Sequence, residues 1–536
     1  MQRLFTFLAG IVLLCAGSAS AANAYSPFIF QNTSGQSQGL WLADSAHPGN
    51  PPVQITNQVL DGQTGGNLAT FEDWTFDAAR HLAVNVQPQF VVYGLGGHLF
   101  KVGLSPLTAS QQLSNGTYQE LCSLTALDER PFAAARAYVQ AVVEPAGSTN
   151  SCASNVGTQT WLIPVNATAA VTPILRPSFW TVLGAFTDPS TGTFVKWIIW
   201  TGNEVDTDNA NFTRASTLLV GPPAGPAPSL LSRSDGTAFL LSEVAGPSTI
   251  SDAWYRLTPT TAALVSSASY ANTAPCAQFE TSMIDPATGQ FVFIQPNNLG
   301  YQAFATPIAG GPASLIYSDS SGNLCGAVEG DTASAGFVTL GESDQTTGLV
   351  TAIGLNEAGP ATQSKVVLAG GVNSNAFVHY TIGGHAWIDL ITFGPGGTQF
   401  STIVADGNGT VIQTYANSRI SDDGYDGFNP GGAPAVDRSI VYLFSPTSGT
   451  CTGGTLLAIN TGTFAGTNIN GLPANACRPL AFGFGPTQIG GMPTGSGGGS
   501  PIQIDPAAGQ LYFLLGPQPN GSFQNAANPL LGYPFF

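Results

Sequence analysis

Short apolar runs alternate with polar, Gly- and Pro-rich stretches along nearly the whole chain, a rhythm of strands and turns rather than of helices. One turn repeats almost verbatim. The pentapeptide D-P-x-x-G stands at Asp188–Gly192, Asp285–Gly289 and Asp505–Gly509, and each copy is followed by one polar residue and an apolar run that begins at Phe194, Phe291 or Leu511. Looser copies are Asp235-Gly236 before Phe239, Asp331 to Gly336 before Phe337, Asp344 to Gly348 before Leu349, and Asp437 before Ile440. The chemistry is that of a hairpin turn: the Asp side chain caps the turn backbone, Pro presets φ, and Gly takes the positive φ that closes the loop.

Phe28, Phe90, Tyr138, Phe194, Phe239, Phe291, Phe337, Phe377, Ile440 and Leu511 mark successive copies of such apolar strands, at a mean step of about 54 residues. Two further strands follow the marker in the clearest copy: Phe291 to Gln295, then Tyr301 to Pro307, then Ala313 to Tyr317. A period of this size with several strands per copy predicts an all-β fold, a β-propeller of eight four-stranded blades, with seven or nine as alternatives. The same phrase opens at Phe28 in mid-blade, so the missing strand is expected from the far end, Ile502 to Asp505 with Leu511 to Leu515, pairing N- and C-terminal strands to close the ring. Residues 25–536 would then be one propeller domain. Two hairpins share Gly-Gly-His, at Gly96-Gly97-His98 and Gly383-Gly384-His385, and by the marker phasing they occupy matched positions. Only Phe132 to Val139 has the pattern of a short helix.

Met1 to Arg3 is a short positive start, Leu4 to Ala16 is apolar, and small residues continue to Ala24, the pattern of a secretory signal peptide over residues 1–24. Export is therefore expected, to the periplasm, cell surface or medium of a bacterium, with no transmembrane segment in the mature chain. Without Cys15 six cysteines remain, Cys122, Cys152, Cys276, Cys325, Cys451 and Cys477, an even number that favours three disulfides in an exported chain. The marker phasing puts all six on one face, Cys122, Cys276, Cys325 and Cys477 before innermost strands and Cys152 and Cys451 in loops between second and third strands. Sequential pairing (122 with 152, 276 with 325, 451 with 477) is the expectation.

Charge narrows the partners. Only 8% of residues are charged and the formal net charge is −17, with three Lys, Lys101, Lys196 and Lys365, so no basic surface exists for nucleic acid. Catalytic signatures are sparse. The G-x-S-x-G match at Gly35–Gly39 is followed by an apolar strand, Leu40 to Ala43, where a nucleophile elbow needs a helix. His98, His379 and His385 read first as hairpin chemistry and second as ligands or bases. Asp422, Asp423 and Asp426 crowd a Gly-rich insertion suited to calcium, and Glu204, Asp206, Asp208 and Asn211 form a second acidic group. Most of the eight Trp should serve the core.

The functional expectation is a secreted, non-catalytic binding or scaffold propeller for a protein or glycan partner. The alternative is a calcium-assisted propeller hydrolase, lactonase-like or glycan-active, with Glu72, Asp73, Asp422 and Asp423 as its acid/base stock.

Overall fold

The computed structural model describes residues 25–31, 37–44, 53–62, 68–77, 82–104, 106–127, 137–154, 157–188, 194–220, 229–234, 236–274, 282–285, 288–322, 324–330, 337–344, 350–359, 364–369, 374–382, 385–394, 397–406, 410–420, 440–445, 455–468, 502–505, 510–514 and 530–534. The fold is all-β. Strands pair antiparallel with their sequence neighbours in a succession of meanders, numbered here as sheets in chain order. Sheet 1 (25–56) and sheet 10 (502–534) have three described strands each. Sheets 2 (68–112), 3 (118–177), 4 (181–220), 5 (229–271), 6 (282–319), 7 (324–369), 8 (374–416) and 9 (419–468) have four.

First strands meet first strands: sheet 2 touches sheet 3 this way, and so do sheets 4 and 5, 5 and 6, 6 and 7, and 7 and 8. Radially stacked four-stranded meanders with their first strands innermost are the arrangement of a β-propeller. Sheet 1 differs, because its first strand touches the second strand of sheet 2. Among the described residues no pairing joins sheet 1 to sheet 10.

The second strands explain why the sequence reads as unbroken apolar runs. Each lies between two neighbouring sheets, so both faces need apolar cover. In sheet 4, Trp197 and Ile199 pack with Leu162 and Trp180 of the sheet 3 side, while Ile198 and Trp200 pack with Ala238 and Leu240 of sheet 5. Phe291 and Phe293 of sheet 6 likewise join Phe239, Leu241 and Trp254 of sheet 5, while Val292 and Ile294 join Val338 and Leu340 of sheet 7. The rings of Phe239 and Phe291 stack at 3.8 Å across that boundary. Trp161, Trp180, Trp197, Trp200, Trp254 and Trp387 are all buried, as the sequence suggested for most of the Trp.

The D-P-x-x-G turns join first to second strands: Asp285 pairs with Gln290, Asp505 with Gln510 and Thr187 with Phe194. Gly289 has φ of 65°, the left-handed conformation the turn demands.

Four local expectations are corrected. Phe377 lies in the first strand of sheet 8 (Ser374–Ile382), not the second, because no D-P-x-x-G turn precedes it to fix the phase. Gly383-Gly384 therefore joins first and second strands, whereas Gly96-Gly97 joins second and third, so the two Gly-Gly-His hairpins are not equivalent. Cys122 and Cys325 lie within the first strands of sheet 3 (Tyr118–Ala126) and sheet 7 (Leu324–Gly330), Cys122 at a bulge between Leu121 and Ser123, rather than before them. The described end of the stretch expected as a helix, Tyr138 and Val139, opens strand Tyr138–Pro145, whose Ala141 and Val143 are needed in the core.

Candidate functional site

The cleft between sheets 4 and 5 encloses about 430 Å³. Trp200, Val205, Leu219 and Val220 form its wall on sheet 4. Opposite, sheet 5 presents the small Ser242, Ser251, Ala253, Ser267 and Ser269 on successive strands, with Leu240, Val244 and Tyr255 beside them. These small side chains leave the space that bulky residues fill between sheets 5 and 6. Ser251 and Ser269 share a hydrogen bond of 2.8 Å between hydroxyls. At the mouth Val220 is 76% exposed and Val244 40%. An apolar wall facing a row of hydroxyls suits a ligand with an apolar face and polar edges.

The opposite side of sheet 5 carries a buried polar node. Strand alternation puts Asp252 on the face turned to sheet 6, where it is 2% exposed and its Oδ2 accepts a hydrogen bond from the Tyr270 hydroxyl. Burial, with a smaller contribution from Glu243, pushes the Asp252 carboxyl up to about 6, against the opposing effect of the Tyr270 bond. Asp252 Oδ1 and Gln295 Nε2 have no hydrogen-bond partner, while Gln295 Oε1 accepts from Ser266 Oγ at 2.8 Å.

A carboxyl pair joins sheets 6 and 7 on the side of their first-to-second turns. Asp285, the leading residue of the D-P-x-x-G turn, is fully buried, and Glu357 follows the third strand of sheet 7 (Val350–Asn356). Thr288 Oγ1 donates to Glu357 Oε2 at 2.6 Å. Burial, then the neighbouring Asp285 charge and hydrogen bond, push Glu357 up to about 8. Two carboxyl groups that hydrogen-bond to each other need a proton between them, so at neutral pH the pair holds one. The sequence hinted at half of this, since Asp285 sits in a repeated motif; nothing in it pointed to Glu357.

The predicted acidic group of sheet 4 is an ion-pair ladder. Glu204, Asp206 and Asp208 alternate along strand Glu204–Asp208 and share one face. Arg214 on the adjacent strand donates to Glu204 Oε2 at 2.6 Å and to Asp206. Burial raises the pKa of Asp206 and of Asp208, with the Asp206 charge adding to the latter. Asn211 is exposed in the following turn. Among the described residues no group of three or more His, Cys, Asp or Glu side chains is placed to hold a metal ion.

His98 serves its hairpin: its Nδ1 lies 3.1 Å from the Gly116 carbonyl and 3.3 Å from Gln112 Nε2. Asp61 Oδ2 accepts from Gly97 N at 2.9 Å and from the Tyr118 hydroxyl at 2.8 Å, tying the hairpin to sheet 3 and to the segment that follows sheet 1. His385 packs edge-on against Phe464 at 5.1 Å. His379 lies in the first strand of sheet 8, and Glu72 and Asp73 in the first strand of sheet 2 (Leu68–Asp77), flanked by register shifts. Asp422, Asp423 and Asp426 lie outside the described residues, as do Cys276, Cys451, Cys477 and residues 1–24. Cys325 is in strand Leu324–Gly330. Cys122 and Cys152 form a disulfide, the first of the sequential pairs expected. Among the described residues no helix is long and apolar enough to cross a membrane.

No protein family matches the sequence, and no curated protein matches it. Solved structures with similarity include oligopeptidase B from Trypanosoma brucei (8% identity, 66% of this chain and 50% of that one, TM-score 0.34). Others are dipeptidyl peptidase 4 from Porphyromonas gingivalis (7%, 75% and 53%, TM-score 0.30) and the apocarotenoid oxygenase of Synechocystis (12%, 77% and 95%, TM-score 0.26). The match spans about half the length of the two peptidases. Hydrolases and an oxygenase are thus among the chains it resembles, at a similarity too low to bear on activity.

Proposed function

We propose that the protein is an exported β-propeller that binds a protein or glycan ligand in the cleft between sheets 4 and 5. The observation that carries this reading is the facing of Trp200, Val205, Leu219 and Val220 by the hydroxyls of Ser242, Ser251, Ser267 and Ser269 across a volume of about 430 Å³. A sugar ring, or an extended peptide with one apolar side chain, has the matching division into apolar face and hydrogen-bonding edge. Replacing the exposed Ser267 by Trp fills the cleft without touching the core. The test is a glycan array and a displayed peptide library, each probed with the native protein and with S267W. Ligands captured by the native protein and lost in S267W support the reading. Equal capture by both proteins, or capture of nothing, refutes it.

A second reading, a calcium-assisted hydrolase that is lactonase-like or glycan-active, is favoured by the Asp285–Glu357 pair, because a carboxyl held protonated near neutral pH is a general acid in waiting. Turnover of lactones or aryl glycosides that is abolished in Glu357→Gln would install this reading in place of the first. Ring closure is proposed through the strands of sheet 10, with the eight four-stranded sheets as blades. Export rests on the apolar start, and Edman sequencing of the secreted chain tests it by beginning at Ala22 or Tyr25.

A further inference from the structure

Glu120 and Glu144 stand directly opposite each other on the first and second strands of sheet 3, Tyr118–Ala126 and Tyr138–Pro145. Like charges in that position repel across the strand pair. Glu144 is fully buried; its Oε2 accepts from Ser148 Oγ at 2.8 Å, and its Oε1 has no partner. Glu120 Oε2 accepts from the Cys152 amide at 3.0 Å. Among the described residues the partners of the two carboxylates are the Ser148 hydroxyl and the Cys152 amide, neither of them a cation. Buried charge is ordinarily paired or bound to a metal. A cation between Glu120 and Glu144 would compensate both.

The segment that runs from Glu144 to the disulfide adds oxygen atoms to this region, the Ser148 hydroxyl being the one in contact with Glu144. Gly147-Ser148-Thr149-Asn150-Ser151 offers hydroxyl, amide and carbonyl oxygens, and the Cys122–Cys152 disulfide pins its end beside Glu120. We propose that Glu120 and Glu144, together with oxygens of residues 147–151, bind Ca²⁺. All donors are hard oxygens, the two cysteines being spent in the disulfide, which disfavours zinc and copper. Oxygens drawn from two strands and a loop suit the adaptable shell of Ca²⁺ better than the strict octahedron of Mg²⁺.

The test uses the full mature chain, stripped with chelator and titrated with CaCl₂ and, separately, MgCl₂ by calorimetry, with thermal unfolding in parallel. The native protein should take up Ca²⁺ more tightly than Mg²⁺ and gain about 2 °C or more in Tm at saturating calcium. Glu144→Gln and Glu120→Gln should each lose one equivalent of Ca²⁺ or weaken it roughly tenfold or more. In chelator, E144Q should melt no lower than the native protein, since it removes an uncompensated buried charge while keeping the side-chain shape. That result also shows that the variant folds. Calcium uptake identical in the native protein, E120Q and E144Q overturns the assignment, as does a native protein that takes up none.

Discussion

Replacing Glu357 by Gln removes one proton from the folding equilibrium and nothing else of similar size. In the native state Glu357 meets the fully buried Asp285 and accepts from Thr288, and it keeps its proton up to about pH 8. In the unfolded chain the same side chain ionises at its ordinary value of 4.5. The raised native pKa fixes the sign: the stabilisation is complete below the unfolded value and is lost as pH rises toward 8. One proton bound only by the native state costs about 1.4 kcal/mol for every pH unit across that interval.

Asp252 acts in the same direction, but its native pKa of about 6 confines its effect to lower pH. Between pH 6.5 and 7.5 the Asp252 effect is already spent, and Glu357 alone should contribute a loss of about 1.4 kcal/mol over that single unit. Gln preserves the shape and the Thr288 bond, and its amide N–H can replace the shared proton toward Asp285. Urea midpoints measured at several pH values across this window should fall with rising pH in the native protein and do so less steeply, by one proton's worth, in E357Q. Parallel pH dependences for the two proteins would refute the shared proton and remove the physical basis for treating the pair as an acid.

Three further outcomes follow from other parts of the fold. Asp252→Asn should make the fall of stability between about pH 4 and 6 shallower by one proton's worth, read from the same urea series, because the raised Asp252 pKa makes stability fall with rising pH there. Converting Cys122 and Cys152 to Ser opens a closure spanning 30 residues of sequence and should lower stability by about 3 to 4 kcal/mol, seen as a lower urea midpoint. Gly94→Ala builds a Cβ 2.5 Å from the Tyr118 hydroxyl and 2.7 Å from Leu121 Cδ2, so a loss of about 1 to 3 kcal/mol is expected; an unchanged Tm would show that the packing beside Asp61 has slack.

The turns were readable from the sequence because their chemistry is local. Asp285 to Gly289 specifies a hairpin through Pro φ and Gly289 φ alone, and the run that follows, Phe291 to Ile294, is apolar throughout because sheets 5 and 7 cover its two faces. Local chemistry does not number the strand. His98 opens a third strand and His385 a second one, so the shared tripeptide does not fix the strand, and the marker at Phe377, with no D-P-x-x-G turn before it, slips by one strand in sheet 8.

The sites were hidden for a different reason: each is made across strands or sheets by residues whose meaning depends on what faces them. Ser267 and Ser269 alternate with Ala268 as on any solvent-facing strand, and they become the wall of a cleft only because Leu219 and Val220 stand opposite across an unfilled gap. Glu144 reads as a polar residue at the end of a strand until the register sets it against Glu120 and burial leaves Oε1 without a partner. Asp285 announces a turn, and only contact with Glu357 in the next sheet turns a capping residue into half of a proton-sharing pair. A repeated blade fixes its own strands through short-range pattern, while the chemistry at its boundaries is set by single residues that the repeat leaves free to differ.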